Sequence, residues 1–138
     1  MVTLSNDDIK RLALFESLTG AMAEDCIVDG ERIAFIVKEG DLGRAIGKNG
    51  ETIRRVREAF GKRVDVFENA ESMEKFVRHL YPGIEIRELK VLEGTDGKTV
   101  QIAVGAQDRG PAIGRDGERI KLARAILERR YGVKLKLV

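Results

Sequence analysis

Two stretches of this chain carry residues whose spacing suggests chemistry: "AIGKNGETI" at Ala45–Ile53 and "AIGRDGERI" at Ala112–Ile120. Each holds a Gly-x-x-Gly turn with a basic residue directly after its first glycine, Lys48 or Arg115. Two glycines permit a tight backbone path and remove the side chains that would hold a ligand away. A helix that starts at such a turn presents free N–H groups and the positive end of its dipole. That is an arrangement for receiving an anionic group such as a phosphate.

Other chemistry finds few residues. His79 is the only histidine, so neither a His–His metal pair nor a Ser–His–Asp triad with a spare base can be assembled. It falls late in an expected helix, where it serves as a terminal or packing residue. Cys26 is the only cysteine, which excludes an intrachain disulfide and a Cys-based zinc site; its apolar neighbours suggest a buried structural thiol. The segment "GRAIGKNG" spaces its glycines as G-x3-G-x2-G, matching neither dinucleotide-binding nor P-loop signatures. It also follows a short helix, where both signatures need a strand. We expect no enzyme, no cofactor and no metal.

The turns need elements to position them, and the sequence supplies these twice. At an offset of 67, Asp41–Ile53 and Asp108–Ile120 agree at eight of thirteen positions, which points to a duplicated small domain. Ser5-Asn6-Asp7-Asp8 offers an N-cap to a helix with apolar Ile9, Leu12, Leu14, Phe15 and Leu18, and Gly20 can end it. "CIVDGERIAFIV" reads as a hairpin around Asp29-Gly30. A short helix Leu42–Ile46, the glycine turn, helix Glu51–Phe60 and strand Arg63–Phe67 follow. The second half repeats this with helix Glu71–Leu80 (opened by Asn69 or Ser72), strands Ile84–Leu92 and Thr99–Val104, a short helix, helix Glu118–Arg130 and strand Val133–Val138. Each half is α-β-β-α-α-β, so the fold class is α+β, with helices on one face of a three-stranded sheet. The domains are expected at 1–68 and 69–138, and a linker this short should juxtapose them tightly.

Charge follows the repeat. The chain's net charge is +2, yet Met1–Gly40 carries four basic and eight acidic residues, and Asn69–Gln107 five and six. Asp41–Glu68 carries seven and five, and Asp108–Val138 nine and four. The positive excess therefore sits in the two segments with glycine turns, a footprint of polyanion binding that two solvated helix faces would also produce. No apolar run approaches the ~20 residues of a membrane span, and Met1–Lys10 lacks a signal-peptide shape, so a cytoplasmic protein is expected.

"AIGKNGETIRRV" and "AIGRDGERIKLA" resemble the signature of KH domains, and the element order is that of the type II class. The tandem arrangement, with "AIGRDGERIKLARAIL" in the second half, is similar to the paired KH domains of the NusA family of transcription factors. Over roughly Leu4–Val138 it resembles the short archaeal form, which lacks the amino-terminal polymerase-binding domain and the oligonucleotide-binding barrel of the bacterial form. The resemblance implies single-stranded RNA as partner, nascent transcript as target, and a role in transcription termination or antitermination. It implies clamps at Gly47-Lys48-Asn49-Gly50 and Gly114-Arg115-Asp116-Gly117, each holding about four nucleotides. Ile46, Ile53, Ile113 and Ile120 would help floor the base grooves, with Arg54, Arg57, Lys121 and Arg124 available for phosphate. Further partners that the resemblance implies would be RNA polymerase or transcription and ribosome-assembly proteins. The competing reading is a KH-shaped assembly or protein-interaction factor, favoured by the Asp116 carboxylate inside the second clamp. Single-stranded DNA stays open, because 2′-hydroxyl contacts are not legible in sequence.

Overall fold

The computed structural model describes residues 3–138. Met1 and Val2, where the expected first domain and the leader reading begin, lie outside the described residues. The chain forms two compact units, Thr3–Glu71 and Ser72–Val138. Asn69–Glu71 thus go with the first unit and not, as expected, with the second. Asn69 is tied to the first sheet: it donates its backbone N–H to Val37 O at 2.8 Å and its side-chain amide to Glu24 Oε1 at 3.0 Å.

In the first unit, α1 (Asn6–Thr19) opens on Ser5, whose hydroxyl accepts from Asp8 N while the Asp8 carboxylate accepts from Ser5 N. This reciprocal cap satisfies two donors the helix cannot. Gly20, at φ 74°, closes the helix. Strands β1 (Ala23–Asp29) and β2 (Arg32–Val37) pair antiparallel around the Gly30 turn, whereas β3 (Arg63–Glu68) pairs parallel to β2. The sheet order is β1-β2-β3. Parallel neighbours cannot be joined by a hairpin and need a crossover. The crossover here is α2 (Leu42–Ile46) followed by α3 (Glu51–Phe60), and the glycine turn is the corner between them. The glycine turn is thus held between the two helices of a crossover that the sheet topology itself requires.

Packing fixes that corner. Ile33, Phe35 and Val37 of β2 form one core with Phe15, Cys26, Ala45, Ile53, Val56 and Val64. The Phe15 and Phe35 rings stack at 4.2 Å between centroids, and Phe60 sits 5.4 Å from Phe35. Each such side chain contributes roughly 1.5–3 kcal/mol by leaving water. Ala45 and Ile53 come from the helices on either side of the turn, so the same core sets both helix directions.

The second unit repeats the plan with α4 (Met73–His79), β4 (Ile86–Gly94), β5 (Gly97–Val104), α5 (Ala106–Ile113), α6 (Glu118–Tyr131) and β6 (Lys134–Leu137). Its sheet runs β4-β5-β6, again antiparallel then parallel. Ser72 caps α4 by accepting from Lys75 N at 3.2 Å. Strand β4 begins two residues later than the apolar run suggests, because Ile84 N–H turns back to Tyr81 O at 3.2 Å. Beyond these ends, the observed architecture is the expected α+β fold with tandem type II KH topology. One contrast was not expected. Strand β2 is buried at every position from Ile33 to Val37, while β5 alternates, with Val100 and Ile102 buried and Thr99 and Gln101 half-exposed.

Candidate functional site

The two glycine turns are nearly superposable in backbone conformation. Gly47 and Gly114 stand at φ/ψ of 76°/169° and 80°/172°, Asn49 and Asp116 at 55°/26° and 55°/25°, and Gly50 and Gly117 at 73°/16° and 73°/13°. The first pair occupies a region open essentially to glycine alone. Space demands glycine there as well. A Cβ on Gly47 would lie 2.7 Å from Thr52 Cβ and 2.8 Å from Thr52 N; one on Gly114 would lie 2.7 Å from Arg119 Cβ and 2.9 Å from Arg119 N. Asn49 and Asp116 are the two non-glycine residues with positive φ among the described residues. Asn and Asp tolerate that conformation better than other side chains.

What sets these turns apart is how the helices after them begin. Helices α1 and α4 open on serines whose hydroxyls accept first-turn N–H groups, but α3 and α6 open on Gly50 and Gly117, with no side-chain cap. These two helices therefore begin without a side-chain cap, their first N–H groups turned back to Lys48 O and Arg115 O, with the Lys48 or Arg115 side chain exposed beside each positive end. Glu51 and Glu118 in the first turns temper that field.

The expected site residues separate into groups. Lys48, Asn49, Arg115 and Asp116 are exposed at the turns, and Gly47, Gly50, Gly114 and Gly117 are half-exposed. Ile46 is 36% exposed and Ile113 half-buried, so each clamp has an aliphatic side chain at the surface just before its first glycine. Ile53 and Ile120 are buried, at 5% and 7% exposure. Arg54 and Lys121 fold back on the turns: Arg54 donates to Asn49 O and Gly50 O, and Lys121 to Asp116 O. Arg57 and Arg124 are engaged elsewhere. The Arg57 guanidinium donates twice to Val64 O at 3.2 Å, and Arg124 Nε donates to Leu135 O at 3.2 Å, tying each helix to the strand after it.

Arg119, which is not among the expected site residues, lies at the second corner as well. It replaces Thr52 of the first clamp and is half-buried. Its guanidinium lies 5.2 Å from the centre of the Tyr81 ring and donates to Pro111 O at 3.4 Å and Pro82 O at 3.3 Å. The one available signal was the break in the repeat at this position.

The one cysteine is held in its thiol form. Cys26 is buried, and burial together with the Asp8 carboxylate 3.5 Å from its sulfur pushes the thiol pKa up to about 12. Among the described residues, no three His, Cys, Asp or Glu side chains gather as a metal site. Among the same residues, no helix is long and apolar enough to cross a membrane.

Comparison with known proteins agrees with this geometry. The KH domain family matches residues 10–94, which include the first clamp. A "probable transcription termination protein NusA" from Halococcus morrhuae is 41% identical over 96% of this chain and 94% of its own length. A protein of the same name from Methanocaldococcus jannaschii is 33% identical over 99% of this chain and 75% of its own. The crystal structure of APE1850 superposes with a TM-score of 0.90 at 38% identity, covering 98% of this chain and all of that one. With the duplicated fold and both glycine turns in view, the chain belongs to the KH-domain family, as an archaeal NusA-like protein.

Proposed function

We propose that this protein binds single-stranded RNA at its two glycine clamps and acts on nascent transcript in transcription termination or antitermination. The observation that carries the reading is the pair of matched corners: two helix N-termini opened by glycine, without a side-chain cap, and flanked by exposed Lys48 and Arg115. Phosphate-rich backbone fits such a corner because N–H groups and the helix dipole act together at close range. Bases would lie against the aliphatic surface that begins at Ile46 and Ile113. The names of the relatives supply the transcriptional setting. The mechanism is binding alone, with RNA polymerase or other transcription proteins as further partners.

The test replaces Lys48-Asn49 with Asp-Asp, and separately makes the second pair Asp-Asp by the single change Arg115→Asp beside the native Asp116. The conformation-setting glycines stay, so the thermal midpoint should hardly move. Each pair should lower affinity for a random-sequence oligoribonucleotide pool by about tenfold or more, since carboxylates within ~4 Å repel phosphate. Affinity that survives both changes together would refute the site. Asp116 favours a second reading for the second clamp, in which that corner meets protein; an effect confined to the first pair would support it.

A further inference from the structure

The clamp corners are held by more than their glycines. In the first, the peptide unit between Asn49 and Gly50 is bonded at both ends. Its N–H donates to Gly47 O at 3.1 Å, and its carbonyl oxygen accepts from Arg54 Nη2 at 2.9 Å. Arg54 Nε reaches the next carbonyl, Gly50 O, at 3.3 Å. The second clamp repeats the N–H half of this arrangement, Gly117 to Gly114 O at 3.1 Å. Its carbonyl half is weaker: Lys121 Nζ approaches Asp116 O at 3.4 Å, with no second bond of the Arg54 kind among the described residues. The residue preceding each such peptide is in the left-handed region, a conformation L-residues adopt at a cost. A peptide with both its donor and its acceptor engaged cannot flip without losing both bonds.

We infer that Arg54 is a positioning residue of the first clamp, fixing the Asn49–Gly50 peptide before ligand arrives, and is not itself a phosphate ligand. Lys121 does the same work less completely in the second clamp. The inference rests on the RNA-binding reading for its consequence and on the bonds above for its cause. A corner fixed in advance binds more tightly because less order is lost on association. Arginine suits the task because its planar fork spans two carbonyls, whereas an ammonium is a single point of charge.

Two kinds of measurement on the full chain separate positioning from direct contact. In the RNA-free protein, NMR order parameters of the Asn49 and Gly50 amides should fall in Arg54→Ala and partly in Arg54→Lys. Those of Asp116 and Gly117 should rise in Lys121→Arg. With the random-sequence oligoribonucleotide pool as probe, Arg54→Ala should weaken binding about three- to tenfold. The slope of log affinity against log salt should stay as in the native protein. Arg54→Lys should recover only part of the loss although it restores the charge. A slope shallower by about 0.7, the contribution of one phosphate on a single strand, with full recovery by lysine, would make Arg54 a phosphate ligand and overturn the inference. Unchanged order parameters in Arg54→Ala would overturn it equally. If the native protein binds no RNA, the functional reading fails on its own, and the order parameters still decide whether Arg54 holds the corner.

Discussion

The two clamps share a backbone and differ in what surrounds it. Across residues 47–54 the first carries two basic side chains and one acidic; across 114–121 the second carries three and two. Their formal charge is the same, yet the charges are used differently. In the first clamp the cations are Lys48, exposed at the turn, and Arg54, folded onto it. In the second, Arg119 is drawn onto Tyr81 and two carbonyls, and Asp116 brings a carboxylate to the corner itself. The lesson is that duplication preserved the conformation demanded by the fold while the side chains took on separate work. A net-charge count cannot detect that division.

The helices after the clamps repeat the lesson in packing. Helix α6 has 14 residues against 10 in α3. Arg57 bonds a carbonyl seven residues on, and Arg124 one eleven residues on. The difference of four is about one helical turn, so the same arginine–strand tie survives a lengthened helix. In both units the helix ends on a left-handed glycine, Gly61 or Gly132.

The sharpest way to break the equivalence of the corners is through their glycines. Gly47→Ala and Gly114→Ala each force a Cβ against backbone in a region reserved for glycine, and each should cost about 3 kcal/mol. Gly50→Ala and Gly117→Ala meet only ordinary contacts at 3.8 and 3.6 Å, so left-handed strain alone should cost about 1 kcal/mol. Urea denaturation of the four variants checks the ranking. Equal losses within each clamp would show that the close approach is not what selects the first glycine.

A smaller effect should sharpen the difference between the halves. Arg119→Ala removes a cation–π contact and two carbonyl bonds, and should cost about 1–2 kcal/mol. Thr52→Ala at the equivalent position lacks that set of contacts and should cost less. The same denaturation experiment reads both, and equal costs would deny Arg119 its strapping role.

The smallest expected change is in binding. Exchanging the third clamp residues, Asn49→Asp and Asp116→Asn, moves one carboxylate from the second corner to the first. One charge about 4 Å from a phosphate in water is worth ~1 kcal/mol, or about fivefold in affinity. Asp116→Asn alone should therefore tighten RNA binding by about that factor, and Asn49→Asp alone should weaken it, both more strongly at low salt. Titration of a labelled oligoribonucleotide pool at two ionic strengths measures this. If Asp116→Asn has no effect while Asn49→Asp weakens binding, the second clamp does not meet phosphate.

By itself the sequence determined what depends on local chain chemistry. Serine caps, glycine stops, the hairpin turns and the repeat are written in neighbouring residues, because caps and positive-φ corners accept few side-chain types. The tight glycine corners were legible for the same reason, whereas the left-handed conformation of Asn49 and Asp116 became visible only in the structure. Tertiary structure alone decided where long side chains end. Arg54, Arg57, Arg119 and Arg124 look alike as solvent-facing cations on helices, yet one holds the turn, two tie helices to strands and one spans Tyr81 and two proline carbonyls. A flexible arginine can reach many acceptors, and which carbonyl it meets depends on strands placed by the crossover, not by its neighbours in sequence. The continuous burial of β2 against the alternation of β5 was decided at the same level, because burial depends on what packs on a strand and not on its own residues alone.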